Sequence, residues 1–210
     1  MVLIFLCFLY QILLLIYCSS NIRRVLNSHQ QISFDIFHMR DQFSWLFHFR
    51  SKKNVIPIIW DDMLRNIPAH VLQESQLGQI VEPMVWVYVE DVDRFVDSLT
   101  WANYGEVFPH IWAASAFKGA FGERLFGVNV QRHVGNNLAW LEVMRRETLS
   151  SGKLSFRGLV LTGWSRYDHF AVLCELLPVA MPSLILNLVI ITQGTFFQKK
   201  KNYKKILFLD

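Results

Sequence analysis

Residues 84–114, MVWVYVEDVDRFVDSLTWANYGEVFPHIWAA, decide the fold. Two apolar runs, Met84–Val89 and Ile111–Ala114, flank a stretch with helical spacing. Within it Val92, Phe95, Val96 and Leu99 fall at i, i+3, i+4 and i+7, and Gly105 lies beyond the predicted helix end. A run, a helix and a second run in about thirty residues make a βαβ unit, whose two strands must be parallel.

The same pattern extends in both directions. Val55–Trp60 precedes this unit and Gly158–Thr162 follows it, so predicted strands begin at 55, 84, 111 and 158. After the first run, Met63, Leu64, Ile67, Val71 and Leu72 suggest a helix broken by Pro68. After the third, Val130, Val134, Leu138 and Leu141 form a stripe closed by Ser150-Ser151-Gly152. After the fourth, Phe170–Ile191 reads as one long apolar helix containing Pro178 and Pro182. Near-continuous apolar strands alternating with helices predict an α/β protein with a parallel sheet buried on both faces.

Composition limits the alternatives. The chain is 52% hydrophobic and only 18% charged, which excludes a disordered polypeptide. Three cysteines (Cys7, Cys18, Cys174) are too few and too scattered for a disulfide framework or a zinc site. The net charge of +4 resides in residues 195–210, which carry five lysines and one aspartate. The remainder is neutral, so no nucleic-acid partner is expected. No cofactor or metal motif is present.

The two ends differ from the middle. Residues 1–17 are uncharged and apolar, at the short limit for a membrane span, with Arg23 and Arg24 following. A membrane segment over residues 1–18 and a buried apolar stretch stand as equal expectations. Residues 195–210 are expected to be a solvated, Lys-rich tail.

Each apolar run finishes near an aromatic or acidic residue: Trp60-Asp61-Asp62, Trp86-Val87-Tyr88, Trp112, and Trp164-Ser165-Arg166-Tyr167-Asp168. In parallel α/β folds, residues just past the C-terminal strand ends face the ligand crevice. Singly, each Trp reads as core; four in equivalent places suggest flat apolar walls with a few acids. Such a pocket holds a sugar ring, indole against its C–H face and carboxylates on its hydroxyls. Asp61 is expected in the pocket, Asp62 as a helix-start acid, and Glu90-Asp91 at a helix N-terminus. His110, His133 and His169 are isolated from one another and read as structural or solvent-facing.

Five segments carry a family resemblance: VIPIIWDDMLRNIP (55–68), VEPMVWVY (81–88), WANYGEVFPHIWAASAFKGAFG (101–122), NVQRHVGNNLAWLE (129–142) and FRGLVLTGWSRYDHFAVLCELLPVAMPSL (156–184). In this order and spacing they resemble the hexosaminidase D branch of the family 20 β-N-acetylhexosaminidases, over residues 36–194. The resemblance implies a partial TIM (β/α)8 barrel, with the four runs as strands five to eight. FDIFHMRDQFSWLFHF (34–49) then looks like the helix before strand five.

The resemblance also implies the chemistry. Family 20 enzymes remove terminal N-acetylhexosamine, and the substrate's own acetamido oxygen attacks the anomeric carbon. An Asp orients that acetamide while an adjacent Glu protonates the leaving oxygen, both at the end of strand four. No Asp-Glu dipeptide occurs in this sequence. Fewer than 180 residues remain between the two odd ends, about half of a barrel. A truncated family member lacking its catalytic pair is therefore expected, with no catalytic residue of its own. Trp60, Asp61, Trp86, Trp112, Trp164, Arg166, Tyr167 and Asp168 are the expected sugar-binding residues, and an N-acetylhexosamine-terminated glycan is the expected partner. An inactive carbohydrate-binding remnant and a small membrane-anchored protein are the alternatives. By resemblance the location is cytoplasmic or nuclear; the anchored alternative would place it at a membrane.

Overall fold

A computed structural model describes residues 2–5, 56–119, 121–122, 125–166, 170 and 172–199. Five strands, β1 (Val2–Phe5), β2 (Ile58–Trp60), β3 (Glu82–Trp86), β4 (Ile111–Lys118) and β5 (Phe156–Gly163), form one sheet in the order β1-β5-β4-β3-β2. Every pairing is parallel. The helices are α1 (Ala69–Glu74), α2 (Ser98–Val107), α3 (Val130–Ser151) and α4 (Leu177–Lys199).

Strand alternation divides the sheet into two unlike faces. Val85, Val87, Ile111, Ala113 and Leu159 point one way, into a core with Leu72, Trp101, Tyr104, Phe108 and Trp140 from the helical layer. Phe117 and Leu161 share that face and pack on Ala180, Leu184 and Leu188 of α4. The intervening residues, Met84, Trp86, Trp112, Ala114 and Val160, form a separate cluster with Trp60 on the opposite face. Helices of the described residues thus cover one face, as in a barrel wall; an open doubly wound sheet carries them on both. The arrangement fits part of an α/β barrel.

Several boundaries differ from the sequence reading. The stripe Val92–Leu99 is not one helix: Val92 and Val96 are buried and Phe95 exposed in a turn-rich connection, and only Leu99, also exposed, belongs to α2. Helix α2 starts only at Ser98, because the Asp97 carboxylate accepts both the N–H and the hydroxyl of Thr100 at 2.8 Å. Gly105 consequently lies inside α2 rather than beyond it, and Glu90-Asp91 belongs to the preceding connection. Helix α4 begins at Leu177, not Phe170, and runs through Gly194 to Lys199. Pro178 is tolerated there because first-turn N–H groups have no intrahelical acceptor, whereas Pro182 lies inside the helix and removes one backbone hydrogen bond.

The N-terminal reading changes as well. Val2–Phe5 is an extended strand beside β5, and the rest of residues 1–18 lies outside the described residues. Among the described residues no helix is long and apolar enough to cross a membrane. The segment 34–49 and residues 200–210 lie outside the described residues.

Helix α3 spans the predicted stripe but turns polar residues inward. Asn137 donates to Asn187, to the carbonyls of Ala116 and His133, and accepts from Ser115 at 2.6 Å. Ser183 closes this seam by donating to the Phe117 carbonyl at 2.7 Å. It ties β4, α3 and α4 together with buried groups satisfied, which apolar periodicity alone does not reveal.

His133 is fully buried beside that seam, and neither ring nitrogen has a hydrogen-bond partner. Burial, helped by the Arg132 and Lys118 charges and opposed by the Ala116 carbonyl, pushes its pKa down to about 4 from 6.5. Above pH 6.5 it is neutral in both folded and unfolded chains. As pH falls from 6.5 toward 4 only the unfolded chain takes up the proton, so stability is lost, by about 3 kcal/mol. Asp61 and Glu175, whose pKa values burial raises, act in the opposite sense and are common to any His133 variant. Urea unfolding at pH 7 and pH 4.5 should show a smaller acid loss for His133→Leu than for the native chain. Equal losses would contradict the burial of a neutral imidazole.

Candidate functional site

At the C-terminal ends of the strands, four aromatic rings meet on the face that the helices leave free. Trp60 ends β2, Trp86 ends β3, Tyr88 follows two residues later, and Trp164 comes directly after β5. The centroids of Trp60 and Trp164 lie 6.1 Å apart, Trp164 and Tyr88 6.1 Å, and Tyr88 and Trp86 5.2 Å. All four are half-buried, so part of each ring is open to solvent. Strands β2 and β5 are separated by two others, and flat spacing would hold them about 14 Å apart. The contact between Trp60 and Trp164 fits a sheet curved toward this face, with the two indoles leaning across β3 and β4.

The backbone under these rings is held from both sides. From α3, Asn136 donates to the carbonyls of Val87 (3.0 Å) and Val89 (2.6 Å), and the Trp140 indole N–H donates to Val87 (2.9 Å). These bonds fix the exit of β3 and with it Trp86 and Tyr88. From the segment after β2, Arg65 donates to the Trp86 carbonyl at 2.7 Å and lies over the Trp86 ring at 5.6 Å.

Asp61 is beneath the surface rather than on it. Its carboxylate has no exposure and accepts two bonds from Arg65, at 2.5 and 2.9 Å, and one from the Tyr104 hydroxyl at 3.2 Å. Burial raises its pKa; the Arg65 and Tyr104 contacts oppose that rise. Burial works against the Arg65 charge, but the Asp61 contacts outweigh it and raise the Arg65 pKa. The acid on the surface is Asp62, whose carboxylate accepts the Trp86 indole N–H at 3.2 Å.

Trp112 also departs from its expected place. Strand β4 continues to Lys118, so Trp112 stands near its start and not at its ligand-facing end. It is buried under Trp60 and Trp86, and its indole N–H donates to Glu82 at 2.7 Å. Arg157 completes that lower group with a 2.9 Å bond to the same carboxylate. Arg166 is half-buried on the segment after Trp164, while Tyr167 and Asp168 lie outside the described residues. Among the described residues no group of three or more His, Cys, Asp or Glu is placed to hold a metal ion.

Tyr88, Asp62 and Arg65 are surface or supporting residues that the sequence reading did not select for the site. Tyr88 had a signal, since two residues past Trp86 a side chain returns to the same face. Arg65, four after Asp61, had the spacing of a local ion pair. No sequence signal showed its reach to the Trp86 carbonyl.

Fold and site together define an α/β protein with a parallel sheet and an aromatic-walled concave face at its strand ends. The chain is 43% identical over 152 residues to human (Homo sapiens) hexosaminidase D, covering 71% of this chain and 30% of that protein. With bovine (Bos taurus) hexosaminidase D it shares 42% identity over 156 residues, 73% of this chain and 44% of that protein. A hexosaminidase D-like relationship is therefore established over most of the chain, and the chain spans less than half the length of these curated relatives. No family model matches it.

Proposed function

We propose that this chain forms the sugar-binding wall of a family 20 type β-N-acetylhexosaminidase, a glycoside hydrolase acting on glycans that end in N-acetylhexosamine. Strands β2 to β5 serve as strands five to eight of the barrel. Trp60, Trp86, Trp164 and Tyr88 bind the ring and acetamide by apolar contact, and Asp62, Arg166, Tyr167 and Asp168 serve the hydroxyls. Asp61 and Trp112 act from below, Asp61 by holding Arg65 under Trp86 and Trp112 by supporting the indoles above it. The observation that carries this reading is the convergence of four aromatic rings from three strands on one concave strand-end face. The relationship to hexosaminidase D and the helices on a single face of the sheet support it.

The chemical step needs an acid and an acetamide-orienting aspartate, and the sequence contains no Asp-Glu pair. Walls alone bind a ring but do not protonate a leaving oxygen, and general acid catalysis contributes about 10²–10⁴-fold. An aryl N-acetylglucosaminide assay on the 210-residue chain should give no appreciable turnover. A chain extended upstream by the other half of the barrel should turn over. Turnover by the short chain that Asp62→Ala abolishes would overturn this assignment of roles. Binding by both chains without turnover by either would favour the second reading, a glycan-binding remnant, for which the missing Asp-Glu pair is the specific observation.

A further inference from the structure

Strand β4 ends on Lys118, whose side chain is buried. Its ammonium donates to the backbone carbonyl of Trp164 at 2.5 Å. Gly119 follows with φ +80°, and a Cβ there would come within 2.7 Å of the Trp164 Cβ and closer still to its carbonyl. The Gly119 N–H donates to the carboxylate of Glu175, itself buried. Glu175 sits at φ +44°, a conformation that costs a non-glycine residue free energy. Neighbouring backbone groups are tied as well: Cys174 N–H donates to the Ser165 carbonyl at 3.0 Å, and Glu175 N–H to the Leu125 carbonyl at 2.8 Å.

Two buried ionisable side chains and a left-handed glycine thus converge on one tryptophan. Apolar side chains would be cheaper there, since burying Lys and Glu costs desolvation. Burial indeed lowers the Lys118 pKa and raises that of Glu175.

We propose that Lys118, Gly119 and Glu175 are positioning residues that clasp the Trp164 peptide and set Trp164 at its angle in the aromatic surface. The inference rests on the sugar-wall reading for its consequence, but the clasp itself is tested independently of it. Lys118 orients the Trp164 peptide, Gly119 admits it, and Glu175 anchors Gly119.

The test compares Lys118→Met, Gly119→Ala and Glu175→Gln in the native chain and in a Trp164→Phe background. Tryptophan emission reads the indole environment, and N-acetylglucosamine titration reads the consequence. Each variant should shift emission only where Trp164 is present, and should weaken N-acetylglucosamine binding about tenfold, equivalent to about 1.4 kcal/mol. Lys118→Arg, which keeps a donor, should recover part of that affinity. Emission shifts equal in both backgrounds, or none in either, would overturn the clasp. If the native chain fails to bind the sugar while Trp164-dependent shifts persist, the sugar-wall reading fails and the clasp stands. Glu175→Gln preserves side-chain shape and decides the matter if Lys118→Met does not fold.

Discussion

Trp140→Ala should lower the unfolding free energy by about 4 kcal/mol, the scale for removing a fully buried indole. Trp140 has no solvent exposure, meets Trp101 edge-on at a centroid distance of 6.3 Å, and donates its indole N–H to Val87. The loss combines transfer of the ring out of water, a cavity between α3 and the sheet, and one hydrogen bond. Trp140→Phe separates these contributions: it retains most of the packing and should cost about 1–2 kcal/mol, from the hydrogen bond and the smaller ring. Asn136 still satisfies the Val87 carbonyl in both variants. Urea unfolding of the three chains gives the comparison. A loss below about 1 kcal/mol for the alanine variant would contradict a packed α3–sheet core.

Arg65→Met is expected to cost about 3 kcal/mol, toward the lower end for breaking a buried ion pair, because the Arg65 side chain is 19% exposed. The variant leaves Asp61 buried with only the Tyr104 hydroxyl as a side-chain partner. Without the guanidinium, the Asp61 pKa rises further above its ordinary value. A raised folded pKa gives stability that is present at low pH and lost as pH rises through it. The deficit of Arg65→Met should therefore shrink on acidification. Asp61→Asn in the same chain removes the orphaned charge, so the double variant should be less destabilised than the sum of the single ones. Strict additivity in a double-mutant cycle would mean that the two side chains do not act as a pair.

How much the sequence revealed depended on the kind of signal. The four apolar runs of residues 55–162 became parallel strands because a strand buried on both sides needs uninterrupted apolar residues. Helix α3 was legible from its stripe and from Gly152, which ends it at φ +59°. The Val92–Leu99 stripe misled because four apolar residues at helical spacing also suit an irregular buried connection. The decisive signal was local, the Asp97 cap on Thr100. Strand β4 was read too short because Ser115 and Lys118 break an apolar run. Both are buried, one satisfied by Asn137 and the other by the Trp164 carbonyl.

The site shows the same division. Trp60, Trp86 and Trp164 were legible because they follow apolar runs. Asp62 stands in the first helical turn after β2 as read, but Asp61, expected in the pocket, is buried, since the turn after β2 decides which carboxylate turns inward and sequence does not encode that in any single residue type. Glu175 carried no motif that composition could separate from a surface acid. Its role depends on a closure over 56 residues that brings it to Gly119.

The aromatic strand-end face is proposed to bind an N-acetylhexosamine. Calorimetric titration of N-acetylglucosamine into the native chain and into Trp60→Ala, Trp86→Ala and Trp164→Ala tests it most directly. The native chain should bind the sugar saturably. Each substitution should weaken it at least about tenfold, while Trp101→Phe on the helical side leaves it unchanged. Absence of binding by the native chain, or binding that survives loss of all three indoles, would contradict it.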